Sequence, residues 1–471
     1  MIDLRPHQSE ALKAIIQAIE AGSGRAVGRV VMPTGAGKTF VEAATLAYQM
    51  QTKRRRRIHL VLAPRILLVN QLLEEYRRFL GSKFRAIAFH SGLHEPDYAS
   101  GINWKEVATT RINTVKEHWQ TARAADQDLI VFSTYHSAGK FIDDIDFDTV
   151  IADESQYCVG EEFFAVARDL EASVKLFFTA TEKHTVSDRG RGLNNETVYG
   201  KQLYYISPAR LIELGLIVPP RLHVMYANSA EADRTIVSEV LEIAAAQHSI
   251  TSADLGFSKI LFAMKGTDDV RVIQEGLAEI RAKFPTHDVF TITSKTGARI
   301  NGVKVDRELE FIPALKNSNN ALIFHYDILS EGIDVDGITG VALLRNMGLA
   351  KLLQTIGRAV RVYKPNPALK RYTLISVPVI NGDEDDKANV SYYVQAIRNG
   401  GYDISAQDVV ETGIPRHMAD EENVDDAYAK ARGSLAGLFV TDVFHDIEEE
   451  EFMQKASMCS DQELANLLWS E

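Results

Sequence analysis

The stretch that decides the fold is MPTGAGKT (32–39), which follows the apolar run RVVM (29–32) and opens a segment of helical spacing. A glycine-rich turn between a strand and a helix lets backbone N–H groups and the helix N-terminus hold phosphate oxygens. Lys38 would then reach the β and γ phosphates, and the next hydroxyl would ligate Mg²⁺. Met32 stands where the strict P-loop pattern has glycine, and a purely structural turn is the alternative. The candidate loop residues are Thr34, Gly35, Ala36, Gly37, Lys38 and Thr39.

Short apolar runs recur through the first 200 residues and are continuous rather than alternating, as in strands buried on both faces. The runs are RVVM (29–32), IHLVLAP (58–64), RAIAFH (85–90), DLIVFS (128–133), TVIAD (149–153) and VKLFFTA (174–180). Between them lie segments of helical spacing, at 38–51, 66–80, 106–124 and 161–171. Strands that alternate with helices predict an α/β fold with a doubly wound parallel sheet.

The same alternation restarts after a short segment that ends in Pro219 and Pro220. The second set of runs is LHVMYA (222–227), KILFAM (259–264), DVFTIT (288–293), NALIFHY (320–326), VALLR (341–345) and YTLISV (372–377), with helical stretches at 230–247, 268–283 and 304–316. We therefore predict two tandem α/β domains followed by an acidic, partly helical extension with helices at 385–399 and 424–436. The predicted boundaries are 1–204, a linker at 205–222 that contains a short helix, 223–380, and 381–471.

Length and composition bound the class of protein. The 471 residues, 45% hydrophobic and 25% charged, suit a multidomain globular chain. The apolar runs are too short to span a bilayer, and Asp3 and Glu10 interrupt the start where a signal peptide is basic and then apolar. Cys158 and Cys459 have no CxxC partner, which disfavours a disulfide framework or a zinc site. We expect a soluble, intracellular, cytoplasmic protein without a membrane partner.

The net charge of −12 is unevenly distributed. Residues 381–471 hold 21 acidic and 6 basic residues, whereas residues 1–380 hold 43 acidic and 46 basic residues. A nearly neutral body can still present a local basic groove to nucleic acid. The acidic extension is predicted to solubilise the chain or to bind a protein partner, and the alternative is that it folds back on such a groove.

A second chemical motif, IADESQ (151–156), places two carboxylates at the end of a predicted strand. Ligands of open α/β sheets bind at strand ends. Asp153 would hold Mg²⁺, and Glu154 would orient and deprotonate an attacking water. Taken alone, such a pair is more often a helix cap or a solvated turn, but its combination with the P-loop favours catalysis.

The motifs occur in an order that resembles superfamily 2 helicases and translocases. That series is MPTGAGKT (32–39), LAPR (62–65), DESQ (153–156), TAT (179–181), SEGIDV (330–335) and QTIGRAVR (354–361). LRPHQ (4–8), the linker and GLNNETVYG (192–200) resemble the branch of phage recombination helicases, restriction-enzyme motor subunits and viral helicases more than the DEAD-box branch. DESQ itself is neither DEAD nor DEAH.

The resemblance implies two RecA-like domains with ATP and Mg²⁺ in the cleft between them. Arg361 would be the main finger toward the γ phosphate and Arg358 its partner, on one face of a helix at 350–361. Gln354 would touch the nucleotide or the coupling water. Gln8 would read adenine and Arg5 would support the phosphates. The positions implied for coupling are Gln156, Thr179 and Thr181, and those implied at the domain-2 nucleotide edge are Gly332 and Asp334.

By the same resemblance, a nucleic-acid strand crosses both domains and is held mainly at its phosphates. Its candidate contacts are small polar or basic residues at strand ends: Pro64, Arg65, His90, Gly92, Ser133, Thr134, Thr293 and Ser294. The basic run KRRRR (53–57) is predicted to be a solvated loop. The alternatives are a contact with nucleic acid or with the acidic tail, and a localisation signal.

The sequence thus predicts an ATP-dependent nucleic-acid helicase or translocase, acting on DNA rather than RNA. Three alternatives stay open at this point: a motor subunit of a restriction or nuclease complex, an RNA helicase, and a nucleotide-gated scaffold that binds nucleic acid without useful turnover.

Overall fold

The computed structural model describes residues 3–52, 57–91, 107–185, 189–226, 235–293, 295–326, 335, 337–344, 349–379 and 384–412. The chain divides into two compact units, Met1–Ile206 and Ser207–Glu471. The helix predicted at 424–436 and most of the basic run at 53–57 lie outside the described residues. Each unit is built on a sheet of its own.

The described part of the first unit contains an eight-stranded sheet in which every ladder is parallel. Its strands are β1 (Ala26–Val31), β2 (Ile58–Ala63), β3 (Phe84–Phe89), β4 (Ala108–Thr109), β5 (Asp128–Thr134), β6 (Phe147–Ala152), β7 (Ala172–Thr179) and β8 (Lys201–Tyr205). They are arranged in the order β4-β3-β5-β2-β6-β7-β1-β8. All residues of β2, β5 and β6 are buried, which confirms the prediction of a doubly wound sheet.

Helices connect these strands, as a parallel sheet requires. The helices described in this unit are α1 (Pro6–Ala21), α2 (Lys38–Thr52), α3 (Ile66–Leu80), α4 (Ile112–Ala124), α5 (Tyr135–Ala138), α6 (Glu161–Asp169) and α7 (Glu196–Tyr199). Tyr76 of α3 packs edge-on against Phe132 of β5, with ring centroids 5.3 Å apart. None of the helices within the described ranges of the chain is both long and apolar enough to cross a membrane.

The second unit contains a nine-stranded sheet within its described residues. Its strands are β9 (Pro220–Tyr226), β10 (Lys259–Ala263), β11 (Asp288–Thr293), β12 (Gly297–Ile300), β13 (Val303–Val305), β14 (Ala321–His325), β15 (Gly340–Leu343), β16 (Thr373–Val379) and β17 (Val409–Thr412). Their order is β13-β12-β11-β14-β10-β15-β16-β9-β17. The ladders are parallel except at β11–β12 and β12–β13, which form an antiparallel edge.

The helices described in the second unit are α8 (Pro208–Glu213), α9 (Ile236–Leu255), α10 (Thr267–Glu275), α11 (Leu277–Lys283), α12 (Ile312–Asn317), α13 (Leu349–Ala359) and α14 (Glu384–Asn399). The helix predicted at 304–316 is wrong at its start, because Val303–Val305 is a strand and Arg307–Phe311 a π-helical turn. Two residues with positive φ, Asn301 and Gly302, join β12 to β13, and such a turn suits a two-residue hairpin.

The predicted start of the extension at 381 is too early. Helix α14 buries apolar side chains that include Val390 and Tyr393, and β17 pairs in parallel with β9. The second unit therefore extends at least to Thr412, because the acidic composition of this segment conceals an apolar helix face. In the predicted linker, α8 confirms the short helix. Pro220 is already the first residue of β9, so the predicted linker, which runs to 222, overlaps the start of this strand.

Candidate active site

The P-loop connects β1 to the first residue of α2, Lys38. Gly35 and Gly37 have φ values of 91° and 82°, a region that residues with a side chain rarely adopt. Met32 is fully buried, and its N–H donates to the Thr179 carbonyl at 2.9 Å. The first position of the motif therefore anchors the loop in the core, so methionine is accommodated there in place of glycine.

Lys38 of the P-loop and Glu154 of the DESQ motif lie together at the carboxyl end of the sheet. Lys38 Nζ is 3.8 Å from Glu154 Oε1 and 3.5 Å from the Met32 carbonyl oxygen. Glu154 follows β6 with a left-handed backbone, φ 53° and ψ 49°, although it is not glycine. Strained backbone of this kind clusters at functional sites.

Asp153 is buried beside this pair and is tightly held through its backbone. Its N–H donates to the Leu62 carbonyl at 2.9 Å, and its own carbonyl accepts a 2.6 Å hydrogen bond from the Tyr135 hydroxyl. Burial and the neighbouring Glu154 carboxylate raise the pKa of Asp153 to about 7, whereas Lys38 opposes this shift. A nearby cation therefore stabilises its ionised form.

Glu42 is a third carboxyl group in this pocket, and it belongs to none of the sequence motifs. It is fully buried on α2, one turn after Lys38, and its Oε2 accepts a 3.3 Å hydrogen bond from the Tyr76 hydroxyl. Its Oε1 has no hydrogen-bond partner among the described residues. Burial raises the pKa of Glu42, and the Asp153 carboxylate raises it further. In the sequence, Glu42 could have been found from its i, i+4 spacing, which places it on the same helix face as Lys38.

The oxygens of Thr39, Glu42 and Asp153 are the hard ligands that Mg²⁺ prefers, and the unpartnered Glu42 Oε1 fits a cation or its bound water nearby. Among the described residues no cluster of three or more His, Cys, Asp or Glu side chains forms a metal cage. Proteins usually hold Mg²⁺ with one or two carboxylates plus substrate phosphates. The chemistry of the residues therefore fits Mg²⁺ that arrives with a nucleotide.

We expect Tyr76→Phe to lower the stability of the first unit by about 1–3 kcal/mol, because it leaves the Glu42 carboxyl without its buried donor. Native-state hydrogen exchange of β2 and β6 amides would measure this change. The control is Tyr48→Phe, since Tyr48 donates to Glu20 at 3.0 Å on a partly exposed face. If the amides of β2 and β6 exchange at the same rate in Tyr76→Phe and Tyr48→Phe, the stabilising role assigned to the Tyr76 hydrogen bond is wrong.

Three residues predicted to couple nucleotide state lie next to Glu154. Gln156 Nε2 donates to Glu154 Oε2 at 2.9 Å, and Gln156 Oε1 accepts from the Thr179 hydroxyl at 2.7 Å. The Thr181 N–H donates to Thr179 Oγ1 at 3.1 Å. These bonds run from the end of β7 to the carboxylate, but their role in coupling stays a prediction.

The residues predicted on the adenine side contact the P-loop. Gln8 Nε2 donates to the Ala36 carbonyl at 2.9 Å, and Gln8 Oε1 accepts from the Arg5 N–H at 3.0 Å. His7, which the sequence reading missed, places its Nε2 2.9 Å from the same carbonyl. Arg5 is exposed. Gln8 therefore connects α1 to the P-loop through these hydrogen bonds. Its recognition of adenine stays a prediction.

Four of the predicted nucleic-acid residues have buried side chains: His90, Ser133, Thr134 and Thr293. His90 Nε2 lies 3.1 Å from Asn70 Oδ1. The Ser133 hydroxyl lies 3.0 Å from the Phe89 carbonyl oxygen, Thr134 caps α5, and Thr293 bonds to Thr296. These buried side chains make hydrogen bonds within the protein, so a nucleic-acid strand at these positions would contact the backbone rather than the side chains.

Pro64 is half-buried and Arg65 is exposed where β2 ends, so this predicted nucleic-acid position is accessible. Gly92 and Ser294 lie outside the described residues, as do Gly332 and Asp334 of the domain-2 nucleotide edge. The structure therefore gives no geometry for these four positions.

The predicted arginine pair lies at the end of α13, but not on one helical face. The helix ends at Ala359, one residue after Arg358, so Arg361 lies beyond it. The Lys370 ammonium donates to the carbonyls of Ala359 and Arg361, the latter at 2.6 Å, and thereby terminates the helix. The helix predicted to reach 361 is thus two residues too long. Gln354 and both arginines are partly exposed.

The first 184 residues match the family model described as Type III restriction enzyme, res subunit. A DNA 3'-5' helicase XPB from Kineococcus radiotolerans is 26% identical over 264 residues, which cover 52% of this chain and 41% of that protein. The chain thus spans about two fifths of the length of this curated relative.

Solved structures with the same fold include the ATP-dependent Type ISP restriction-modification enzyme LlaBIII bound to DNA, at a TM-score of 0.68 and 16% identity. The match covers 93% of this chain and 33% of that one. Mss116p bound to ssRNA and AMP-PNP matches at a TM-score of 0.52 and 12% identity, covering 98% of this chain and 90% of the other. These likenesses confirm the prediction of tandem RecA-like domains.

The family match, the curated relative and the shared fold agree with the ordered motifs, several of which meet at one sheet edge in the first unit. The chain therefore resembles superfamily 2 helicases, as the order of its motifs predicted.

Proposed function

We propose that the chain hydrolyses ATP with Mg²⁺ and uses the energy to translocate along or remodel nucleic acid, DNA rather than RNA. The observation that carries the proposal is the approach of Lys38 to Glu154 at 3.8 Å, with Glu154 held by Gln156 at 2.9 Å. A phosphate-binding lysine beside an oriented carboxylate is the arrangement that phosphoryl transfer to water requires. The name of the curated relative, a DNA helicase, supports DNA as the substrate.

The roles follow from the positions of the side chains. When bound, Mg²⁺ supplies a Lewis acid that neutralises charge on the phosphates, and Thr39 and Asp153 would hold it. Lys38 exchanges its contact with Glu154 for the phosphate oxygens, which leaves the carboxylate free to take a proton from water. Gln156 keeps the Glu154 carboxylate oriented during this exchange, because its amide donates to the opposite oxygen, Oε2.

Residues of the second unit are proposed to complete the chemistry. Arg361 and Arg358 are assigned to the charge that develops on the γ phosphate, because a guanidinium stays ionised and donates to two oxygens at once. Gln354 is assigned to the nucleotide or its attacking water. Gly332 and Asp334 keep their proposed place at the ribose edge.

The remaining assignments are the partners. Gln8 and Arg5 are proposed at the adenine end of the nucleotide. A DNA strand is proposed to follow the strand ends that carry Pro64 and Arg65. A protein partner is proposed for the acidic residues after Thr412, and the cytoplasm is proposed as the place of action because ATP and nucleic acid occur there together.

A second candidate function is the motor subunit of a restriction or nuclease assembly. The res-subunit family match over residues 1–184 and the Type ISP fold favour it. Cutting chemistry would then come from a partner, because the sequence presents no convincing nuclease carboxylate–lysine cluster. Copurification of a nuclease with the chain would select this candidate.

The test is the steady-state ATPase rate of the full chain with single-stranded DNA, duplex DNA, branched DNA and RNA, each at matched nucleotide concentration. We expect DNA to stimulate the rate at least tenfold and RNA to stimulate it less. Greater stimulation by RNA would select an RNA helicase. Mg²⁺-dependent nucleotide binding without stimulation by any of the four would select a nucleotide-gated scaffold and contradict the proposal.

A further inference from the structure

The antiparallel edge of the second unit carries two cations directly opposite each other. In the β12–β13 ladder Arg299 pairs with Lys304, so their side chains leave the same face of the sheet. Like charges in opposite positions destabilise an antiparallel pair. Lys304 is exposed and Arg299 is half-buried, and no carboxylate of the described residues forms an ion pair with either. Both cations therefore lack a protein counterion in the part of the chain described.

The hydrogen bonds of Arg299 leave donors available. Its Nη1 donates to the Gly302 carbonyl at 3.1 Å, which holds the guanidinium close to the hairpin turn. Its Nε is buried and has no hydrogen-bond partner among the described residues. Because the bond to Gly302 uses one N–H of Nη1, other N–H groups at the end of the guanidinium can donate to an anionic oxygen.

The basic face continues toward the carboxyl end of β11. A Cβ atom placed on Gly297 would lie 3.8 Å from Lys304 Cε, so the lysine stem crosses the strand beside that glycine. Lys295, which is exposed, lies two residues earlier in the turn that leaves β11. On the inner side Arg299 pairs with Thr291, whose hydroxyl accepts a 3.0 Å hydrogen bond from Gln274. The exposed part of this face is thus cationic, and it ends at the buried Thr291.

An edge lysine has an ordinary explanation, since charged residues on edge strands prevent sheet-to-sheet association. That explanation accounts for Lys304 on β13. It does not account for Arg299, which lies on the paired strand β12, partly buried and facing the lysine. Two cations on one face of the hairpin, neither in an ion pair with a carboxylate of the described residues, fit a polyanion that contacts both.

We propose that the β12–β13 hairpin binds the phosphate backbone of a nucleic-acid strand through Arg299 and Lys304. Directly opposite side chains have Cβ atoms about 4.5–5.5 Å apart, and flexible stems extend that span. A nucleic-acid strand carries one negative charge per nucleotide, so two cations on one face can donate to two of its phosphates. The proposal rests on the proposed function. It adds a nucleic-acid contact whose affinity does not depend on the base sequence, because phosphates are the same in every nucleotide.

The experiment measures the affinity of the full chain for a single-stranded DNA oligonucleotide by fluorescence anisotropy across a series of salt concentrations. The variant is Arg299→Ala/Lys304→Ala. Losing two phosphate contacts should reduce the slope of log K against log salt by about 1.4, at about 0.7 for each contact on a single strand. Affinity should fall to a similar degree for oligonucleotides of different sequence.

A matched control is Arg281→Ala/Lys283→Ala, which removes one arginine and one lysine from exposed positions on α11 of the same unit. Its salt slope should equal that of the parent. Arg299→Lys/Lys304→Arg keeps both charges, so a parental slope in this variant shows that charge rather than a changed fold is responsible. The ATPase rate without DNA should be equal in all four proteins.

Two results overturn the hairpin assignment: a parental slope in the Arg299→Ala/Lys304→Ala variant, or an equal loss in the control. Failure of the proposed function has a different signature. If the parent binds neither DNA nor RNA and neither stimulates its ATPase, the motor function and the hairpin site fail together. If the parent is stimulated by DNA and the hairpin variant is unchanged, only the hairpin assignment fails.

Discussion

Glu154→Gln is expected to lower the rate of ATP hydrolysis by about 10²- to 10⁴-fold, the contribution typical of a general base. Glutamine has nearly the same shape and preserves the contact with Gln156, so nucleotide binding should change by less than about threefold. The left-handed backbone at this position, φ 53°, is kept as well, because the substitution alters only the end of the side chain. Single-turnover phosphate release, together with equilibrium binding of a fluorescent ATP analogue, would separate chemistry from affinity.

The control for this variant is Glu171→Gln, an exposed carboxylate just before β7. It should hydrolyse ATP at the parental rate. If Glu154→Gln also hydrolyses ATP at the parental rate, the assignment of Glu154 as the base is wrong. Asp153 and Glu42 would then be the remaining carboxylates near Lys38.

Lys38→Ala is expected to abolish measurable turnover and to weaken ATP binding, since it removes the ammonium assigned to the β and γ phosphates. Loss of one charge-stabilising donor lowers kcat by about 10²–10³, and the lysine also contributes to binding. In contrast to Glu154→Gln, both affinity and chemistry should fall. Isothermal titration with a non-hydrolysable ATP analogue and single-turnover kinetics would test the two effects.

Lys201→Ala is the control for Lys38→Ala, because Lys201 is exposed at the start of β8 in the same unit. Its binding and turnover should equal those of the parent. An analogue affinity for Lys38→Ala within a factor of two of the parent would contradict the phosphate role of the lysine.

The parallel sheets were predictable because strands buried on both faces are apolar at every position. This pattern recovered β2, β5 and β6 with errors of one or two residues. The short edge strands β4 and β8 and the edge strand β17 were missed, since strands at an edge are covered on fewer sides and carry little apolar signal. The hairpin was also missed, although Asn301-Gly302 is a turn pair that a hairpin often uses.

The part of the active site that lies at the carboxyl ends of the strands was predictable from the sequence. Lys38, Glu154, Gln156 and Thr179 come together because parallel strands present their carboxyl ends at one edge. Glu42 could not be recognised from a motif, because its importance lies in burial beside Asp153. A continuous apolar strand also does not show which side chains at its end turn inward, and so the burial of His90 and Ser133 was not foreseen.

The contact between the first helix and the P-loop has a consequence for nucleotide selectivity. A Cβ atom on Gly37 would lie 2.4 Å from Gln8 Nε2, so a methyl group added there would push the Gln8 amide away from the loop. Any rearrangement of the loop around phosphates must therefore displace or carry along Gln8. With Gln8 proposed at the adenine end of the nucleotide, base recognition and phosphate binding are coupled through this contact. GTP should then differ from ATP in its phosphate-dependent affinity as well as at the base.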